Sequence, residues 1–149
     1  PGMNIWFEQQ INEIRKHTTR PIQVRPHPRN PVSFNLKNYR NVSITRPVMD
    51  SNTIDDTNFK DTLEDVWAVV NHSSNPAIEA VINGIPVFVS EDSLCHDVGN
   101  HTLANINNPN MPDRQEWANK LSYTEWFEDE IEKGLPWQRI KNRIITNYL

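Results

Sequence analysis

The chain has 149 residues, of which 36% are hydrophobic and 23% charged, and a formal net charge of −4. That is enough for one domain with a sizeable core and short for two. No run approaches the roughly 20 apolar residues of a membrane span and no secretory segment opens the sequence, so a soluble, cytoplasmic protein is expected. The net negative charge argues against a general nucleic-acid binder.

The average conceals an asymmetry. Between Arg15 and Arg46 there is no Asp or Glu, and the stretch holds Arg15, Lys16, Arg20, Arg25, Arg29, Lys37, Arg40 and Arg46, a charge of +8. The other 7 basic residues and all 19 acidic ones lie elsewhere, leaving −12 for the rest. The basic stretch is equipped to meet an anion, although most of its side chains are expected to pair with the acidic C-terminal half. Cys95 is the only cysteine, which rules out an internal disulfide and suits a reducing compartment. Pro1-Gly2 ahead of Met3 reads as a cloning remnant, leaving 3–149 as a single domain.

Ile5, Trp6, Gln9, Ile11 and Ile14 fall on a helical stripe, predicting a first helix that ends near Lys16 with Glu8 and Glu13 exposed. Pro21 forces a new element, and "PIQVRPHP" predicts a strand over Ile22 to Arg25, stopped by Pro26 and Pro28, neither of which can donate to a ladder. "NVSIT" (Asn41 to Thr45) predicts a second strand, ended by Pro47. "FKDTLED" reads as a short helix leading into "VWAVVN" (Val66 to Asn71), an apolar run of the kind that is covered on both faces of a parallel sheet. A helix over Pro76 to Asn83 follows, with Ile78, Val81 and Ile82 as its buried stripe, then Gly84 as its C-terminal cap and "PVFV" as a fourth strand. Strands alternating with short helices predict an α/β domain, Rossmann-like, with a mostly parallel sheet.

From Asp113 the pattern is purely helical through "DRQEWANKL", "YTEWFEDEIEKG" and "PWQRIKNRIITNYL", with breaks at Gly134 and Pro136. These tail helices are expected to pack on the sheet or on a neighbour, so an oligomer formed through them is possible. Trp117, Trp126, Phe127 and Trp137 read as core rather than as a sugar-stacking platform, because aromatic residues at helical spacing are usually buried.

In an open parallel sheet, ligands bind beyond the carboxyl ends of the strands. His72, Ser73, Ser74 and Asn75 lie at such a junction, and Asn75 before Pro76 has the form of an N-cap followed by proline at the first helical position. A helix start presents unpaired N–H groups and partial positive charge, and the hydroxyls of Ser73 and Ser74 add donors, so this is either a phosphate site or only a helix cap. Glu79 lies off the buried stripe. It is either a surface carboxylate favoured by the helix dipole or an acceptor for two ribose hydroxyls. At the end of the first strand, prolines hold His27 between Arg25 and Arg29, a grouping suited to phosphate contact.

Taken in order, "RPHPR", "NHSSNPAIEAVINGIPVFV" and the tail "DRQEWANKLSYTEWFEDEIEKGLPW" resemble the C-terminal, nucleotide-binding half of capsule-polysaccharide-type glycosyltransferases with the GT-B fold, and the wider set of CMP-sugar-using transferases, including bacterial sialyltransferases. The resemblance spans about Ile5 to Trp137. It implies that His27 and Pro28 form a His-Pro motif at the donor nucleotide, with Arg25 and Arg29 beside it. It also implies that Ser73, Ser74 and Asn75 hold the donor phosphate, that Glu79 takes the ribose, and that Gly84 and Pro86 keep the helix close to the next strand. The implied reaction transfers a sugar from a nucleotide donor to a polysaccharide or other glycan, with no metal and no cofactor beyond the donor itself. The acceptor and the usual catalytic base belong to an N-terminal half that this sequence does not contain, so the isolated chain is expected to be inactive. No catalytic residue is assigned, and His27 is the nearest candidate.

Other readings stay open. One is a non-catalytic nucleotide- or partner-binding module, and another is half of a sugar-nucleotide epimerase, which the same fold supports. Cys95, His96, Asp97 and His101 match no common zinc spacing and are not read as a metal site. In the transferase reading the loop "SEDSLCHDVGN" faces the cleft and offers Ser93 or His96 to the donor. His17 and His72 read as structural histidines, and no nucleophile-elbow signature points to a hydrolase.

Overall fold

A computed structural model describes residues 2–27, 32, 35–45 and 59–148 of the chain. Two compact units emerge, Pro1–Pro112 and Asp113–Leu149. No helix among the described residues is long and apolar enough to cross a membrane.

The first unit opens with helix α1, Gly2–His17, whose last turn carries Arg15, Lys16 and His17, cations that complement the negative end of the helix dipole. Ile11 and Ile14 are buried as the stripe predicts, whereas Ile5 is exposed. Strands β1 (Ile22–Val24) and β2 (Val42–Ile44) pair in parallel with Ile22 opposite Val42. Strands β3 (Val69–Val70) and β4 (Val87–Phe88) form a second parallel pair, with Val69 opposite Val87. Between them runs helix α2, Pro76–Ile82. The order and parallel sense agree with an α/β reading. The described residues nevertheless form two two-stranded sheets and not one wide sheet.

Each strand is shorter than its apolar run. Trp67 lies in the run predicted as a strand but outside β3, and its indole N–H donates to the Ile106 carbonyl at 2.6 Å. The Arg20 guanidinium stacks over the same ring at 4.2 Å and donates to Asn107 Oδ1 at 2.7 Å. Val69 and Val70 are half-buried, so this strand is not covered on both faces as expected. The "FKDTLED" segment forms a 3₁₀ turn, Phe59–Leu63, that packs on α2.

Ile14 from α1, Phe88 from β4 and Ile106 form a buried cluster against which Ile22, Ala68, Val70 and Leu103 pack, so both strand pairs share one core. Arg15 ties α1 to the first pair. Its guanidinium donates to the carbonyls of Arg20 (2.8 Å), Arg40 (3.0 Å) and Asn41 (2.9 Å), and partial burial lowers its pKa below the usual arginine value. Three residues of the basic stretch are used locally: Arg15, Arg20 and Arg25 engage carbonyls, an amide, a hydroxyl and rings of the first unit.

Helix α2 buries Ala77, Ala80 and Val81, while Ile82 faces solvent, which shifts the predicted stripe toward the alanines. It ends in a Schellman arrangement: the Ile85 N–H donates to the Ala80 carbonyl at 2.9 Å and the Gly84 N–H to that of Val81 at 3.1 Å. Gly84 has φ +81°, and a Cβ built there meets nothing within 4 Å. The glycine thus serves backbone conformation and not the close helix–strand approach implied by the resemblance. Gly84→Ala is expected to cost about 1 to 2 kcal/mol of stability in urea unfolding. Gly84→Asn is expected to cost less, because asparagine tolerates the left-handed region.

The second unit comprises α3 (Gln115–Ser122), α4 (Glu128–Glu132) and α5 (Leu135–Tyr148). Helices α4 and α5 pack together. The Arg139 guanidinium stacks over Tyr123 at 4.3 Å and lies 5.3 Å from Trp126. The Glu130 carboxylate accepts the Phe127 N–H at 2.8 Å, tying down the start of α4. Trp117 is buried, as expected of a core aromatic, but Phe127 and Trp137 are 78% and 59% exposed. The core reading of those two is corrected: a helix as short as α4 covers only one side of its neighbour.

Candidate functional site

The site is built where the second parallel pair ends. Past the strands the ladder continues: the Asn71 N–H donates to the Phe88 carbonyl at 2.9 Å, and the Ser90 N–H to that of His72 at 3.1 Å. A third parallel segment joins by a single bridge, Phe88 opposite Asn100. There the Asn100 N–H donates to the Val87 carbonyl at 2.8 Å and the Val89 N–H to the Asn100 carbonyl at 3.0 Å. Three carboxyl ends thus converge on one edge.

A cavity of about 200 Å³ opens at that edge. Asn71 and His72 follow β3, Ser90 follows β4, and Asn100, His101 and Thr102 come from the third segment. Val70, Phe88, Val89 and Leu103 supply its apolar lining, and Trp6 and Gln10 reach it from α1. Trp6 meets the His72 ring edge to face, with centroids 6.2 Å apart. This is the crevice beyond the carboxyl ends of parallel strands in which α/β folds place ligands.

The polar groups here are already ordered by one another. Asn100 is 6% exposed; its side-chain amide donates to the carbonyls of Val87 (3.2 Å) and Asn110 (3.1 Å) and accepts the Asn110 N–H at 2.8 Å. The Ser90 hydroxyl donates to the His72 carbonyl at 2.9 Å. The His101 ring stacks on His96 with centroids 4.0 Å apart and planes inclined by 9°, and its Nε2 lies 2.9 Å from the His96 carbonyl. His96 Nδ1 is buried without a hydrogen-bond partner.

The predicted phosphate loop is exposed and adjoins this cleft through Asn71 and His72. Asn71 Oδ1 accepts the Ser74 N–H at 2.8 Å, and Asn71 Nδ2 donates to the Ser74 hydroxyl at 2.9 Å. The Ser73 hydroxyl lies 3.1 Å from His72 Nδ1. Asn75 has helical angles, φ −52° and ψ −30°, and makes no side-chain cap bond, which corrects the N-cap expected of it. The ordering falls to Asn71, whose side chain closes the turn before the helix begins. The Ala77 and Ile78 N–H groups donate to the carbonyls of Ser74 (3.1 Å) and Asn75 (2.8 Å), and Pro76 has none to give, so the first turn offers a phosphate fewer donors than the sequence implies. Glu79 is exposed on the face of α2 away from its buried alanines.

Arg25 and His27 leave the end of β1, in the other sheet. The Arg25 guanidinium donates to Thr62 Oγ1 at 3.0 Å and lies 5.2 Å from the Phe59 ring, so it is anchored on the 3₁₀ turn that packs against α2. His27 is exposed beside buried Pro26. Pro28 and Arg29 lie outside the described residues. None of Arg25, His27, Ser73, Ser74, Asn75 and Glu79 lines the cavity.

In the loop after β4, Ser93 is buried and its hydroxyl accepts the Cys95 N–H at 3.1 Å, so it is turned inward and not toward the cleft. His72, read from sequence as structural, is exposed on the cleft wall, whereas His17 lies 3.2 Å from the Glu13 carboxylate. Among the described residues no three His, Cys, Asp or Glu side chains gather closely enough to hold a metal ion.

Cys95 is fully buried, and desolvation pushes its thiol pKa up against a smaller opposing effect of the Ser93 hydroxyl. A folded-state pKa above the unfolded one gives a contribution to stability that is whole below about pH 8.5 and lost as pH rises through the folded value. Native protein is expected to resist a thiol reagent at pH 7, and Cys95→Ala should flatten the alkaline fall in stability. Rapid thiol labelling of the native chain would contradict this.

No family model matches the chain, and neither a curated protein nor a solved structure shows significant similarity to it.

Proposed function

We propose that this chain is the donor-binding domain of a glycosyltransferase, seating a nucleotide-sugar, with a CMP-sugar as the donor class and a glycan as acceptor on a separate domain. The observation that supports it most is the cleft at the carboxyl edge of β3 and β4, whose wall residues Asn71 and His72 immediately precede the Ser73-Ser74 loop. The loop hydroxyls carry the donor phosphate, Glu79 the ribose, and His27 with its flanking arginines the remaining negative charge; hydrogen bonds to such charge strengthen as the phosphate departs. A second reading, a non-catalytic module that binds a partner, draws on exposed Phe127 and Trp137.

Calorimetric titration with CMP, UMP, UDP, GDP and ADP separates them. The donor reading expects CMP to bind most tightly, and His27→Ala and Glu79→Ala each to weaken it about tenfold or more, the scale of one hydrogen bond to a charged group. Tighter UDP binding would keep a transferase but change its donor, and silence across the panel at millimolar concentration would favour the partner-binding module.

A further inference from the structure

Helix α2 hands the chain to β4 through Asn83, Gly84 and Ile85, and this turn holds a reactive pair. Of the 4 glycines in the sequence only Gly84 follows an asparagine. A glycine nitrogen has no Cβ beside it to block close approach, so it can attack the side-chain amide of the residue before it. Asn83 and Gly84 are both exposed, so water reaches the pair. The fold holds both reactants back. Asn83 Nδ2, the atom that would leave as ammonia, donates to the Glu79 carbonyl at 2.8 Å. The Gly84 N–H, whose nitrogen would attack, donates to the Val81 carbonyl at 3.1 Å, and the Ile85 N–H bond to the Ala80 carbonyl at 2.9 Å pins the turn from its far side. At the Asn83 ψ of 11° the Gly84 nitrogen nearly eclipses the nitrogen of Asn83 and not its Cβ, so ring closure requires rotation about the Cα–C bond. The cap bonds resist that rotation.

We propose that Asn83 is the deamidation site of this chain and that the C-terminal cap of α2 sets its rate. When the cap opens, the Gly84 nitrogen gives its proton to solvent base and bonds to Asn83 Cγ. The Cγ–Nδ2 bond then breaks, ammonia leaves with a proton from water, and a cyclic imide remains. Water opens the imide at either carbonyl, so one water is consumed and one ammonia released for each aspartyl or isoaspartyl residue formed at position 83. The aspartyl product sets a carboxylate against the Glu79 carbonyl at the negative end of the helix. The isoaspartyl product lengthens the main chain by one carbon between α2 and β4. Both loosen the cap, with no ligand involved.

The test incubates the full chain at mildly alkaline pH, in buffer and in guanidinium chloride. Peptide mass spectrometry places each amide-to-acid change, and labelling by an isoaspartyl methyltransferase reads the isomer. In denaturant, position 83 is expected to convert before any other asparagine. In buffer it should convert about tenfold or more slowly, because only molecules with an opened cap react. Ile82 gives a lever on the cap that leaves the reacting pair and the core intact, being 63% exposed and the last residue of α2. Ile82→Gly should deamidate in buffer at least about threefold faster than Ile82→Ala, since glycine is a poor helix former and alanine the best, while the two match in denaturant. Equal rates at position 83 in buffer and denaturant, or for the two variants in buffer, would overturn control by the cap. Faster conversion of another asparagine in denaturant would overturn the site itself.

Discussion

Phe88→Ala is expected to lower the free energy of unfolding by about 3 to 5 kcal/mol, enough to leave a domain of ordinary stability partly unfolded at 25 °C. Phe88 is 3% exposed and stands at the centre of the cluster with Ile14 and Ile106. Its carbonyl accepts the Asn71 N–H, and its neighbours Val87 and Val89 make the two backbone bonds to Asn100. Truncation removes its apolar contacts and leaves a cavity that α1 and the third segment cannot both close. Urea unfolding followed by circular dichroism reads the loss directly. Ile82→Ala is the control: the sequence stripe puts Ile82 in the core, but it is 63% exposed, so its loss should cost less than about 0.5 kcal/mol. Equal costs for the two would contradict the arrangement of this core.

Asn100→Leu comes second, with an expected loss of about 2 to 3 kcal/mol, because it strips partners from the N–H and carbonyl of Asn110 and puts an apolar branch against the Val87 carbonyl. Asn100→Asp tests the same bonds by another route. It keeps an acceptor for the Asn110 N–H but sets a carboxylate against two carbonyls, so burial and repulsion raise its pKa. A folded-state pKa above the unfolded one means that the stability of this variant recovers below the usual carboxylate range and falls as pH rises through the folded value. Because Asn100 forms part of the cleft wall, both changes should also weaken whatever the cleft holds. A variant as stable as the wild type across pH would show that the Asn100 bonds do not hold this edge together.

The parts legible in the sequence were those governed by local pattern. Alternating apolar runs and proline breaks located β1 to β4, the Ile11 and Ile14 spacing located α1, and Gly84 marked the end of α2 through its need for positive φ. Strand extent was not legible, since Trp67 satisfies the apolar pattern of the run and yet lies outside β3, with its indole N–H on the Ile106 carbonyl. The polar break at 71–75 was recognised as a loop at a strand end, but its organiser is Asn71, the last residue of the apolar run, and not Asn75. Most of the cleft was invisible for a different reason. Trp6, Ser90, His101 and Thr102 come from distant stretches with no shared spacing, and only pairing of β3, β4 and the Asn100 segment brings them to one edge.

Amide chemical-shift mapping during a CMP titration is the most direct test of a nucleotide seated on this edge. Saturable shifts that share one dissociation constant are expected at Asn71 to Asn75, Ser90 and Asn100 to Thr102, with Glu79 moving alongside them. Shifts confined to α3, α4 and α5, or no shift at millimolar CMP or any of the other nucleotides, would contradict it.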